Sequence, residues 1–224
     1  MKHHHELVVD VETYADIPAD LAEELTGNVK ADGRLKDPSK ILADIAAKQE
    51  AVYSRAALSP LTGKVIMIGL AAREVSDSGE VGPWVFEQRD VEQCPSGDRD
   101  FPAEQFVLNF LLARIGLSTR FITFNGRTFD MPLLAARCVV HGLSAGSALP
   151  IGRDLYSRVI DLRDVLTEGT LANWTMRILS ERKDTGDVAK MVDEGRWGDL
   201  RERNKQDVMA TARIYDRVRR VVSL

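Results

Sequence analysis

The stretch Leu7-Val8-Val9-Asp10-Val11-Glu12-Thr13 decides how the rest of the chain is read. Its apolar residues predict a short buried strand over Leu7 to Val11, and residues two apart in a strand project from the same face. Asp10 and Glu12 therefore stand side by side in a segment that otherwise belongs in a core. Two adjacent anions in a dry place repel unless a cation lies between them. Carboxylate oxygens of this kind suit Mg2+ or Mn2+.

Two further segments supply carboxylates of matching character. In Phe121-Ile122-Thr123-Phe124-Asn125-Gly126-Arg127-Thr128-Phe129-Asp130, a strand predicted over Arg120 to Phe124 meets an Asn-Gly turn signal. A helix predicted from about Phe129 to His141 follows, which puts Asp130 in its first turn. An acidic side chain there also complements the helix dipole without any catalytic meaning. Near the C-terminus, Asp207 borders the apolar stripe Val208, Thr211, Ala212, Tyr215, Val218 and Val222 of a long helix. None of the four carboxylates has a cationic partner in sequence reach other than Arg203. Two metal ions about 3.5–4 Å apart require several converging anions, and three distant segments supplying four carboxylates meet that requirement.

In this order the motifs resemble those of the DEDD superfamily of 3'-5' exonucleases, and within it the proofreading exonuclease domains of B-family DNA polymerases and their stand-alone relatives. Asp10-Val11-Glu12-Thr13 matches the first motif. Asn125, Phe129, Asp130, Pro132 and Leu134 reproduce the second, and Asp207, Val208 and Thr211 the third. Val159-Ile160-Asp161-Leu162 resembles a short strand found between them, and the likeness runs from Leu7 to about Val218. The resemblance implies an α/β, RNase H-like fold: a mixed central sheet flanked by helices, with a helical insertion after the first strand. It implies two Mg2+ or Mn2+ ions held by Asp10, Glu12, Asp130 and Asp207, and hydrolysis of single-stranded DNA 3' ends to nucleoside 5'-monophosphates. Thr13 and Asn125 would contact the terminal nucleotide and Phe129 would shape its pocket, with a polymerase or repair protein as partner.

One departure bears on catalysis. Where the resembling subclass has a Tyr four residues before the last Asp, this chain has Arg203; where another subclass has a His five residues before, it has Glu202. A guanidinium stays protonated and cannot act as a base at neutral pH. Arg203, one helical turn from Asp207, is expected to pair with it or to hold a substrate phosphate. The alternatives are a catalytically weak or inactive protein of the same fold that binds nucleic acid or a partner, or the same chemistry on RNA.

Length and composition fit one α/β domain over 1–224, with the insertion at approximately 14–63; the chain has 224 residues and is 44% hydrophobic. The formal charge of −4 argues against coating nucleic acid by bulk electrostatics, though not against gripping one strand end. Cys94 and Cys138 are too few for a disulfide framework, and with no signal peptide or membrane-length apolar run the expected compartment is the cytoplasm. Inside the insertion, Asp37-Pro38-Ser39 predicts a helix start. Further strands are predicted at Val65 to Ala71, at Pro83 to Glu87 antiparallel to it, and at Val159 to Leu162. A helix from Pro102 to Ile115 should turn Phe106, Phe110 and Leu111 inward, and three or four helices should follow the last strand. His3-His4-His5 reads as a purification-tag remnant, and Asp161 either as an outer carboxylate of the site or as a helix cap.

Overall fold

Strand β1 (His4–Ala15) runs apolar without alternation because both its faces are covered: Leu7, Val8 and Val9 are all buried. A computed structural model describes residues 4–95, 101–116, 119–146, 148–183 and 186–222, apart from the side chains of Ser54, Phe101 and Pro102. His3 lies outside them, while His4 and His5 are drawn into β1, where His5 pairs with Thr119. The predicted tag remnant is thus in part the opening of the first strand.

The other strands are β2 (Gly63–Val75), β3 (Val85–Asp90), β4 (Thr119–Thr123) and β5 (Val159–Asp161), in the sheet order β3-β2-β1-β4-β5. β2 and β3 are antiparallel, with Gly69 opposite Gln88, whereas β1, β4 and β5 are mutually parallel, with Val8 opposite Ile122 and Ile122 opposite Ile160. This is the mixed α/β sheet expected from the sequence, with an RNase H-like strand order. The helices are α1 (Ala19–Gly27), α2 (Pro38–Ala56), α3 (Phe101–Leu112), α4 (Asp130–Val140), α5 (Asp154–Arg158), α6 (Leu162–Leu166), α7 (Leu171–Trp174), α8 (Val188–Asp193) and α9 (Trp197–Val221). Sequence patterning missed α1 and the five-residue α5, which are marked by no buried residue. Along α3, Phe110 and Leu111 are buried as predicted, but Phe106 is only half-buried and Glu104 is turned inward instead. That carboxylate accepts from Arg137 Nε at 2.8 Å, from the Val65 amide at 2.8 Å and bonds His141 Nε2 at 2.7 Å, so it ties α3 and α4 to β2.

The chain divides into two compact units, Met1–Glu12 with Val65–Leu224, and Thr13–Lys64. The smaller unit carries α1 and α2. Its ends meet where the Asp16 amide donates to the Thr62 carbonyl at 2.7 Å, and Asp37 caps α2 through the Ser39 amide at 2.9 Å, as the Asp-Pro-Ser signal predicts. No helix among the described residues is long and apolar enough to cross a membrane.

In the larger unit α9 lies along β1. Val208, Ala212, Tyr215 and Val218 pack with Val8, Ala71 and Ile122, while Val222, the last residue of the predicted stripe, is exposed beyond the helix. Polar contacts fix its register. Arg201 grips Asp90 at the end of β3 through two hydrogen bonds of 2.7 and 3.0 Å. Farther along, the Tyr215 hydroxyl donates to the wholly buried Glu6 at 2.7 Å, and Arg73 donates to the same carboxylate at 2.7 Å and to Asp216 at 2.6 Å, with Trp84 stacked against its guanidinium. A buried ion pair of this kind is weak evidence for net stability, but removing one member leaves the rest stranded. Glu6→Ala should therefore destabilise the protein by roughly 3–5 kcal/mol in denaturant unfolding, because Tyr215 and Arg73 lose their common acceptor.

Candidate active site

Parallel strands end on the same edge of a sheet, and the carboxyl ends of β1, β4 and β5 bring Asp10 and Glu12, the Asn125 turn, and Asp161 to one edge. Such an edge is where open α/β sheets bind ligands. Across it, α9 presents Asp207. Oxygen atoms of Asp10, Glu12 and Asp207 all lie within 4.8 Å of one another. Asp130, at the first position of α4, stands next to them: it is 7% exposed, and its Oδ1 accepts the Val11 amide at 3.3 Å.

The turn that delivers Asp130 is built from its own sequence. Asn125 adopts a left-handed conformation (φ 70°), which asparagine tolerates better than most residues. Gly126 follows because a Cβ there would stand 2.5 Å from Thr123 Cβ and 2.9 Å from Asp130 Oδ2. Asp161 holds the turn, accepting the Asn125 amide at 2.7 Å and the Arg127 amide at 2.9 Å, and it caps α6 through the Arg163 amide at 3.0 Å. Of its two predicted roles, the cap is the one its contacts describe. Asn125 Oδ1 accepts from Arg163 Nη1 and from the Thr128 hydroxyl, each at 3.0 Å. Phe129 is half-buried at the N-terminal end of α4, and Thr13 follows Glu12 in β1 as the first residue of the smaller unit.

Burial sets the electrostatics. Desolvation and then the Asp10 charge push the Glu12 carboxyl up to about 8, desolvation raises Asp10 to about 6, and desolvation with the Asp10 charge raises Asp130 well above the ordinary carboxylate range. Two cations offset the repulsion. Lys183, 24 residues before Asp207 in sequence, forms an ion pair with Asp207 Oδ1 and also faces Asp10 and Glu12. Arg203 Nε stands 3.9 Å from Glu12 Oε1, too far for a hydrogen bond, and its Nη1 donates to the Gly186 carbonyl. The expectation that Arg203 pairs with Asp207 is therefore corrected: Lys183 takes that place, and the carboxylates do have an internal counter-ion. Sequence spacing carries no signal for Lys183, which lies outside any helix or strand. Asn204 was likewise missed; it donates to Asp10 Oδ2 at 2.9 Å. Glu202 is exposed and accepts from Gln206.

The residues fit hard divalent cations. Glu12 Oε1 is buried without a hydrogen-bond partner, and the donor set is carboxylate oxygen throughout.

Fold and site together define an RNase H-like α/β protein with a clustered acidic site of DEDD type. Residues 64–177, just over half of the chain, match the family described as predicted 3'-5' exonucleases related to the exonuclease domain of PolB, and the chain belongs to that family. The matched span contains Asp130 but neither the first strand nor Asp207. Among solved structures, the family B DNA polymerase of the hyperthermophilic archaeon Pyrobaculum calidifontis is similar at a TM-score of 0.55 and 15% identity, over 96% of this chain and 24% of that one. Exonuclease I of E. coli in complex with a dT13 oligonucleotide aligns at a TM-score of 0.40 and 13% identity, over 96% of this chain and 41% of that one. The chain thus spans about a quarter of the polymerase it matches. No curated protein sequence matches it.

A raised carboxylate stabilises the fold below its unfolded pKa, and that contribution is lost as pH rises through the folded value. The metal-free protein should lose stability between about pH 4.5 and 8 from Glu12 and Asp10. Mn2+ needs these groups ionised, so the rise in Tm that it produces should grow from pH 5 to pH 8 in scanning calorimetry; a pH-independent rise would place the metal elsewhere.

Proposed function

We propose that the protein is a metal-dependent 3'-5' exonuclease that releases nucleoside 5'-monophosphates from single-stranded DNA ends. The observation that carries this reading is the convergence of Asp10, Glu12 and Asp207 within 4.8 Å, beside Asp130, at the carboxyl edge of the sheet. Asp10, Glu12, Asp130 and Asp207 would hold two Mg2+ or Mn2+ ions, which when bound would activate the attacking water and stabilise the leaving 3'-oxygen. The chain's own residues supply the geometry. Asp130 is oriented by the Val11 amide and Asp10 by Asn204. Asn125, with its Oδ1 occupied by Arg163 and Thr128, presents its Nδ2 as a donor for the terminal nucleotide, as the resemblance implies. On the same resemblance Phe129 would help shape its pocket.

Arg203 stands 3.9 Å from Glu12 and donates to the Gly186 carbonyl, and its guanidinium cannot take over proton acceptance from the subclass Tyr. A substrate phosphate reaching the carboxylates would meet Arg203 and Lys183, the cations that face them among the described residues. Lys183 and a metal ion compete for the same anions, so metal binding is an exchange of ammonium for metal. These two cations also favour a second reading, a weakly active protein of the same fold that binds nucleic acid. On the same resemblance a polymerase or repair protein in the cytoplasm would be the partner.

End-labelled single-stranded DNA and RNA digested with Mg2+ or Mn2+ test activity, polarity and sugar preference together; no cleavage under any condition would sink the enzyme reading. Asp10→Ala and Asp207→Ala should reduce cleavage to background, and wild-type rates in either would refute the site. Lys183→Met should lower the metal concentration for half-maximal binding several-fold, measured by calorimetry. Arg203→Tyr should raise kcat several-fold if Arg203 merely fills the vacancy, within the roughly 10²–10⁴-fold that a placed acid or base contributes. Should it grip phosphate instead, KM rises and the salt dependence of binding weakens.

A further inference from the structure

We infer that Asn204, seated against Gly69, is a positioning residue that sets the Asp10 carboxylate for metal binding; this rests on the carboxylate-site reading above. Asn204 precedes Asp207 by three residues on α9, so the two share the helix face turned to β1. Asn204 is wholly buried and its Nδ2 donates to Asp10 Oδ2 at 2.9 Å. The orientation of the amide follows from chemistry: an ionised carboxylate only accepts, so the NH2 group must face it.

The other end of the same side chain shows what this arrangement demands. Asn204 Oδ1 is buried with no hydrogen-bond partner. It lies against the backbone of Gly69 in β2, where a Cβ would stand 2.0 Å from that oxygen and 2.8 Å from Val208 Cγ2. Any side chain at position 69 would therefore displace Asn204. A glycine inside a strand gives up packing, and a buried amide with an orphaned carbonyl is destabilising beside an apolar side chain of the same size. Two unfavourable choices meet at one point, and what they jointly secure is the Asn204 amide donating to Asp10 Oδ2. That bond holds the carboxylate by Oδ2, in a group that has an oxygen within 4.8 Å of ligand atoms of Glu12 and Asp207. Groups that orient a ligand in this way typically change metal affinity by 10–100-fold when removed. Asn204 touches no reacting atom and acts through Asp10, with a smaller hydrogen-bonding influence on Glu12.

The test titrates Mn2+ into the full chain by isothermal calorimetry, with thermal melts to confirm folding. Asn204→Leu keeps the volume and removes the donor. It should fold with unchanged or higher Tm, weaken Mn2+ binding by roughly 10–100-fold, and raise the Mn2+ concentration for half-maximal cleavage in parallel, while kcat at saturating Mn2+ falls less. Gly69→Ala, which touches no carboxylate, should weaken Mn2+ binding in the same direction by pushing Asn204 aside; if that variant fails to fold, Asn204→Ala serves as the second probe. Asp207→Ala is the reference. Wild-type Mn2+ affinity in folded Asn204→Leu, with binding lost in Asp207→Ala, overturns the role of Asn204 alone. Mn2+ binding unchanged in Asp207→Ala overturns the carboxylate-site reading itself.

Discussion

Three carboxylates within 4.8 Å of one another in a buried setting are the constraint around which this chain is arranged. Burial favours the neutral form of a carboxyl group, and it displaces Asp10, Glu12 and Asp130 upward. Every neighbour answers that problem in part. Lys183 brings a charge, the Val11 amide and Asn204 bring dipoles, and Arg203 stands close enough to be felt without a hydrogen bond.

The scaffold keeps the anions together by separating two tasks. Parallel β1, β4 and β5 fix Asp10, Glu12, Asn125 and Asp161 in register with one another through backbone ladders. Asp207 belongs to no ladder and depends on how α9 is held. Asp161 illustrates the division: its two oxygens bind three backbone amides, so it orders the turn ahead of Asp130 while remaining apart from the three clustered acids.

Much of the fold was legible in the sequence because its signals are local. The apolar run of β1, the Asn-Gly turn after β4, the Asp-Pro-Ser start of α2 and the 3.6-residue stripe of α9 each encode an element within a few residues. Asp10, Glu12, Asp130 and Asp207 stand out in the sequence for the same reason, each sitting in a motif whose neighbours announce it. What stayed hidden is long-range and polar. Lys183 reaches Asp207 from outside any helix or strand, Asn204 shows its importance only through Gly69 far away on β2, and Glu6 meets Tyr215 across 209 residues of sequence. Charged residues with no periodicity read as surface, so Glu6, Arg73 and Glu104 were invisible as core until packing was seen.

Anchored at Arg201 and again at Tyr215, the last long helix has a single permitted depth. A slip of one turn, about 5.4 Å along its axis, would strand Asp90 and Glu6 together and carry Asp207 out of reach of Asp10. Intermediate depths leave both buried acids half-satisfied, so the helix is either docked or not. Strand and helix thus act as two jaws of a caliper whose gap is locked at both ends, and the spacing of the acids becomes a digital property of the fold, indifferent to the small thermal motions that would blur a site built on loops.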